Sequence, residues 1–128
     1  MPGTLAIFGE GHAAQTLSGA SWLGEVAVYY WGDLDPTGLD ILNRLRRRYP
    51  KLSSVLMDDR TLEENADLLS EAARIPRIDH SLLTESERRA AERVQMHGAG
   101  IEQEKIPPAY VRVVLIQALD QGAGPARQ

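Results

Sequence analysis

The stretch Val26-Ala-Val-Tyr-Tyr-Trp-Gly-Asp-Leu-Asp-Pro-Thr-Gly38 decides the fold. Its first six residues form a continuous apolar run rich in β-branched and aromatic side chains, the pattern of a parallel strand covered on both faces. Gly32 stops that run. Asp35 before Pro36 then predicts a helix N-cap with proline at the first helical position. Leu39, Leu42, Leu45 and Tyr49 recur at helical spacing, Ile41 widens the stripe, and Pro50 ends it. Strand, turn and helix thus follow directly, and Asp33 and Asp35 fall in the turn beyond the strand's carboxyl end. Open parallel sheets gather their ligands at that edge.

Upstream, Leu5-Ala-Ile-Phe8 reads as a buried strand halted by Gly9-Glu10-Gly11, and a short helix is expected from His12 to about Leu17. Downstream, Ser53 to Met57 is a third candidate strand, and Thr61-Leu-Glu-Glu64 has the form of a capping box opening another short helix. Three strands alternating with helices imply an α/β fold with a parallel sheet. Beyond Glu71 the pattern turns to helix and loop. Ala72 to Ser81 holds no durable period, and Thr84-Glu-Ser-Glu87 opens a polar helix ending near Gly98. After Pro107-Pro108, Tyr110 to Leu119 reads as a final apolar helix in preference to a strand. One domain over residues 1–120 is expected, followed by a flexible tail over 121–128.

Composition narrows the chemistry. The chain has 128 residues, 43% of them hydrophobic and 25% charged, values ordinary for a soluble globular domain. No apolar run approaches the roughly 20 residues of a membrane helix, so a cytoplasmic location without membrane contact is expected. The absence of cysteine excludes disulfides, thiolate metal sites and cysteine nucleophiles, and leaves carboxylates and histidines as possible ligands, so that any metal is expected to be a hard cation. A net charge of -4 argues against nucleic-acid binding through bulk charge, yet Arg44, Arg46, Arg47, Arg48 and Lys51 cluster enough to form a local basic face.

Two carboxylates one residue apart in a turn can approach one Mg²⁺, which takes oxygen ligands at about 2.1 Å and retains waters that substrate phosphate replaces. Such an ion polarises a phosphodiester and activates water, and a second ion about 3.5 to 4 Å away divides those tasks. The plainer reading is that Asp35 is only an N-cap and Asp33 a solvated loop carboxylate. A third reading follows the haloacid dehalogenase phosphatases, which also place Asp-x-Asp after an apolar strand. There Asp33 would be the nucleophile and Asp35 the general acid, although Pro36 and Gly38 depart from that pattern.

The run Trp31-Gly-Asp-Leu-Asp-Pro-Thr-Gly-Leu-Asp-Ile-Leu42 resembles the aspartate motif of toprim domains as used by topoisomerase VI A subunits. Further matches occur in order at Ile7-Phe-Gly9, Ile41-Leu-Asn-Arg-Leu-Arg46, Leu56-Met-Asp58, Leu83-Thr84 with Glu87, and Ile101-Glu-Gln-Glu104. Together they resemble more closely the C-terminal domain of JetD, the nuclease subunit of Wadjet plasmid-defence systems, over roughly residues 5 to 110. This resemblance implies a toprim-like, Rossmann-like parallel sheet lacking the usual first strand, with a helical C-terminal part. It implies that Asp33 and Asp35 bind Mg²⁺ (or Mn²⁺) and that the domain cuts DNA, with Glu104 or Glu102 completing the metal shell. Toprim domains normally take a glutamate from a strand preceding the one at Thr4 to Phe8. The chain is therefore expected to be a fragment of a longer protein, or a domain that cannot cut alone, with Glu10 as an additional candidate acid.

Implied partners are DNA, other subunits of a defence complex and a second copy of the chain. Arg44, Arg47 and Arg48, on the helix that starts at the aspartates, suit phosphate contacts, and His12 after its glycine turn is a further candidate. A non-catalytic remnant that binds metal or a partner without cutting is the remaining alternative.

Overall fold

In the computed structural model the described residues are 4–9 and 27–123, with side chains described from 28 to 118. Glu10, His12 and the helix expected from His12 lie outside the described residues. The parallel sheet expected from the alternation is present. Strand β1 (Thr4–Gly9) pairs parallel with β2 (Ala27–Gly32), in register from Thr4 with Ala27 to Gly9 with Gly32. Strand β3 (Ser53–Ser54) pairs parallel with the other side of β2, matching Tyr29 with Ser53 and Tyr30 with Ser54. The order β1-β2-β3 makes β2 central, which is why its run is continuously apolar.

Helix α1 (Pro36–Arg48) starts where the sequence requires. Asp35 is its extended N-cap and accepts a hydrogen bond from the Gly38 amide, and Pro36 occupies the first turn. Leu39, Leu42, Leu45 and Tyr49 are buried in the core, as their spacing predicts, and so is Ile41. Gly38 is required by close approach rather than flexibility: a Cβ there would lie 1.9 Å from the Asp33 carbonyl oxygen.

Three boundaries differ from expectation. Strand β3 is two residues long rather than five, because Leu56 turns to a φ of 61° immediately after Val55 makes its last ladder bond to Tyr30. That left-handed conformation, costly for a branched side chain, sends Leu56 and Met57 into the core instead of along the sheet. Helix α2 (Asp59–Glu64) is capped by Asp58, whose carboxylate accepts from both the amide and the hydroxyl of Thr61. Thr61 therefore lies inside the helix, and the apparent capping box at Thr61 to Glu64 is not the N-terminus. The final helix, α4, runs over Pro108–Ala123 instead of Tyr110 to Leu119, because Pro108 is tolerated in a first turn.

Beyond a 3₁₀ turn (Ala66–Leu68), a second sheet was not anticipated: β4 (Ser70–Glu71) pairs antiparallel with β5 (Ala99–Gly100). Between them lies α3 (Glu85–His97), with the expected capping box of Thr84 and Glu87 and a left-handed Gly98 at its end. Glu87 also reaches across the core to α1. Its carboxylate forms a two-point ion pair with the Arg46 guanidinium, at 2.5 and 3.1 Å, and accepts from the Ser54 hydroxyl. Arg46 further donates to the carbonyls of Leu52 and Leu82, so the pair ties α1, β3 and α3 together. Among the described residues, no helix is long and apolar enough to cross a membrane.

Candidate functional site

The acidic turn stands at the carboxyl edge of the central strand, between β2 and α1. Its floor is Tyr30, fully buried, whose hydroxyl donates to the Gly38 carbonyl at 3.3 Å. Burial, with Asp35 and Asp33 nearby, raises the pKa of this phenol, which stays protonated at physiological pH. A second wall comes from the distant segment after β5. Leu34 and Ile101 exchange both backbone hydrogen bonds, at 2.9 and 3.1 Å, in an isolated antiparallel bridge. Two residues later the Gln103 amide donates to Asp33 Oδ1 at 2.8 Å. Gly100 permits this packing, since a Cβ there would lie 2.6 Å from Asp35 Cβ and 2.7 Å from the Leu34 carbonyl oxygen.

The segment Ile101-Glu-Gln-Glu104, about 70 residues from the aspartates in sequence, is thus carried to the acidic turn. Glu102 precedes a 3₁₀ turn over Gln103–Lys105 without capping it through its side chain, and both Glu102 and Glu104 are exposed. Glu102 is therefore not spent on starting a helix.

Asp33 and Asp35 differ in environment. Asp35 is half-buried, its Oδ1 held by the Gly38 amide at 2.7 Å. Burial pushes its carboxyl above the usual range, Asp33 pushes in the same direction, and the amides of Gly38 and Thr37 oppose both. Among the described residues neither aspartate has a cationic side chain as an ion-pair partner. Two carboxylates with hard oxygen donors and uncompensated charge fit a divalent cation of the Mg²⁺ type. Among the described residues, however, no three potential ligands converge as a ready-made cage. Such a pair is compatible in its chemistry with Mg²⁺, which characteristically uses one or two carboxylates and fills its remaining positions with water and phosphate.

The candidate arginines lie toward the other end of α1. From Pro36, Arg44 is about 12 Å and Arg48 about 18 Å along the axis at 1.5 Å per residue. Arg44 pairs with Asp40 at 3.0 Å, Arg47 pairs with Asp79, and Arg48 is exposed. None of them stands beside the acidic turn. Arg46, in the same basic run, is structural. The candidate phosphate contacts drawn from the sequence, Arg44, Arg47 and Arg48, leave out Arg46, whose inward direction follows the helical phase of the buried Leu42. A cavity of about 700 Å³ opens elsewhere, lined by Tyr29, Arg46, Ser54, Thr84 and Glu87 among others. Its charged pair, Arg46 and Glu87, is already engaged internally, so it does not compete with the turn as the centre of chemistry.

No curated protein matches the chain. A family described as Wadjet protein JetD, C-terminal, matches residues 1–115, and so covers the acidic turn, the Leu34 to Ile101 bridge and both candidate glutamates. The chain belongs to that JetD C-terminal family.

Proposed function

We propose that this chain supplies the cation-binding part of a DNA-cleaving, toprim-like domain in a Wadjet plasmid-defence protein. The observation that carries the reading is the acidic turn: two aspartates without cationic partners, at the carboxyl edge of the central parallel strand, faced by a segment bearing Glu102 and Glu104. Asp33 and Asp35 would hold Mg²⁺ or Mn²⁺, and Glu104 or Glu102 would join them by side-chain rotation from exposed positions. The ion, when bound, supplies charge neutralisation at a phosphodiester and a water of lowered pKa. The chain's own residues orient it: Gly38 and Gln103 fix one oxygen of each aspartate, and Tyr30 holds the first turn of α1 in place.

DNA is the proposed substrate and other subunits of the defence assembly the proposed partners. The arginines at the far end of α1 would contact phosphates away from the scissile one. At 3.4 Å of rise per nucleotide, 12 to 18 Å corresponds to roughly four or five nucleotides. The lack of three converging ligands among the described residues also favours a second reading, in which the fold binds metal or a partner without cutting.

A plasmid-nicking assay with Mg²⁺ and with Mn²⁺ separates the two. The chain and a version extended upstream are each compared with their Asp33→Ala variant. Cation-dependent nicking by the extended protein that disappears with Asp33 supports cleavage. Equal nicking without Asp33 removes the turn from the mechanism, and metal binding without nicking in any form selects the non-catalytic reading.

A further inference from the structure

The acidic turn and the segment after β5 are joined by backbone, not by side-chain proximity alone. Leu34 and Ile101, both buried, pair through two backbone hydrogen bonds, and this pairing fixes where the chain runs next. The Gln103 N–H consequently meets Asp33 Oδ1 at 2.8 Å. Among the described residues no other hydrogen bond reaches the Asp33 carboxylate, so Oδ2 is left unengaged. A backbone amide in a paired segment is a donor with no side-chain rotamers of its own, whereas a solvated aspartate must lose rotational freedom whenever it binds an ion.

We propose that the Gln103 backbone amide is a positioning group for the cation at the acidic turn: it clamps one oxygen of Asp33, presents the other to the ion, and anchors Glu102 and Glu104 at the same edge. This inference rests on the reading of Asp33 and Asp35 as cation ligands. Without the clamp, Asp33 would have to be ordered by the ion itself. Ordering one side chain on binding weakens affinity by roughly two- to tenfold.

The backbone geometry admits a variant that breaks the clamp, since a proline Cδ in place of the Gln103 amide hydrogen also displaces the Asp33 oxygen that lies 2.8 Å from the nitrogen. Gln103 is the first residue of a 3₁₀ turn, where the fixed φ of proline fits. Glu102, at φ -67° and ψ 133°, already has the extended conformation required before proline. Gln103→Pro therefore removes the N–H while keeping the path of the chain, and Gln103→Ala removes the side chain while keeping the N–H.

Mn²⁺ binding to the full chain, followed by the electron paramagnetic resonance signal of the free ion, is measured for wild type, Asp33→Ala, Gln103→Pro and Gln103→Ala. In parallel, the Gln103 amide resonance is followed by nuclear magnetic resonance during titration with Mg²⁺. We expect Gln103→Ala to bind like wild type, Gln103→Pro to bind roughly two- to tenfold more weakly, and Asp33→Ala to lose the site. The Gln103 amide should shift with Mg²⁺ in wild type and stay fixed in Asp33→Ala. Wild-type affinity in Gln103→Pro, or an unmoved amide in wild type that binds the ion, overturns the clamp and leaves the cation site standing. Undiminished binding by Asp33→Ala, or no binding by wild type, overturns the cation reading and the clamp with it. Should Gln103→Pro fail to fold, the amide titration in wild type and Asp33→Ala decides alone.

Discussion

Replacing Glu87 by glutamine tests the join on which the placement of α3, and through it β5 and the wall of the site, depends. Glu87 and Arg46 are 3% and 7% exposed, so both charges have left water and each is compensated chiefly by the other. Glutamine keeps the shape but removes the charge, and it sets an amide N–H₂ against the guanidinium where a carboxylate oxygen stood. Breaking a buried pair by neutralising one partner costs about 3 to 5 kcal/mol. At roughly 4 °C per kcal/mol for a chain of this size, melting should fall by about 12 to 20 °C in circular dichroism. The pH profile gives an independent sign. Burial alone would raise the Glu87 carboxyl, but hydrogen bonds from Arg46, Ser54 and the Thr84 amide outweigh it and hold the group below its ordinary range. Its stabilisation is therefore complete above the unfolded value of about 4.3 and fades as pH falls through the lower folded value. The gap in melting temperature between wild type and Glu87→Gln should accordingly narrow in acid. Replacing both partners, Arg46→Met with Glu87→Leu, should restore most of the loss. A single variant melting within about 3 °C of wild type at pH 7 would refute the argument that the pair is desolvated and mutually dependent.

Asp35→Asn should cost little as a cap, because asparagine caps as well as aspartate, and should be no less stable than wild type at pH 7 without divalent ions. The sign follows from its raised carboxyl: the folded state holds that proton more tightly, so ionisation costs stability as pH rises past the usual 3.9, and the variant has no such deficit. Mg²⁺ at about ten times its dissociation constant should raise wild-type melting by roughly 5 °C, from about 1.4 kcal/mol of binding linkage, and leave Asp35→Asn unmoved. Gly100→Ala would drive a methyl roughly 0.8 Å inside ordinary contact with Asp35 Cβ. The expected cost is about 1 to 3 kcal/mol in thermal unfolding, with weakened Mn²⁺ binding as the wall is pushed from the turn. Asp58→Ala removes a cap that satisfies both the amide and hydroxyl of Thr61, and should destabilise by about 0.5 to 2 kcal/mol in a urea titration.

Much of the fold was legible because it is written in local chemistry. The run from Val26 to Trp31 needs two covered faces, Asp35-Pro36 needs a helix start, and Thr84 with Glu87 needs another, so β2, α1 and α3 stand where patterns place them. The failures share a cause of a different kind. β4 and β5 are two residues each and carry no period, so only their pairing across 28 residues defines them. The cap of α2 was misplaced because Thr61 to Glu64 also satisfies a capping-box pattern, and only the backbone turn at Leu56 brings Asp58 to the helix start. Glu87 was read as a helix-capping residue and Arg46 as part of a basic run, but their pairing was not legible because they lie 41 residues apart.

The site was legible in the same uneven way. Asp33 and Asp35 were marked by their position beyond the strand, and Glu102 and Glu104 by resemblance alone. Neither periodicity nor composition indicated that Leu34 and Ile101 would bridge, yet that bridge gives the glutamates a physical reason to matter. Tyr30 shows the opposite case: it was assigned to the core, and it is core, while its hydroxyl also supports the turn above it.

The most direct test of the central claim is the binding of Mn²⁺ to wild type and to Asp33→Asn at neutral pH, measured from the electron paramagnetic resonance signal of the free ion. A cation centre on the acidic turn requires saturable binding by wild type and its loss in Asp33→Asn, with Mg²⁺ competing. Equal binding by both proteins, or none by wild type, would contradict it.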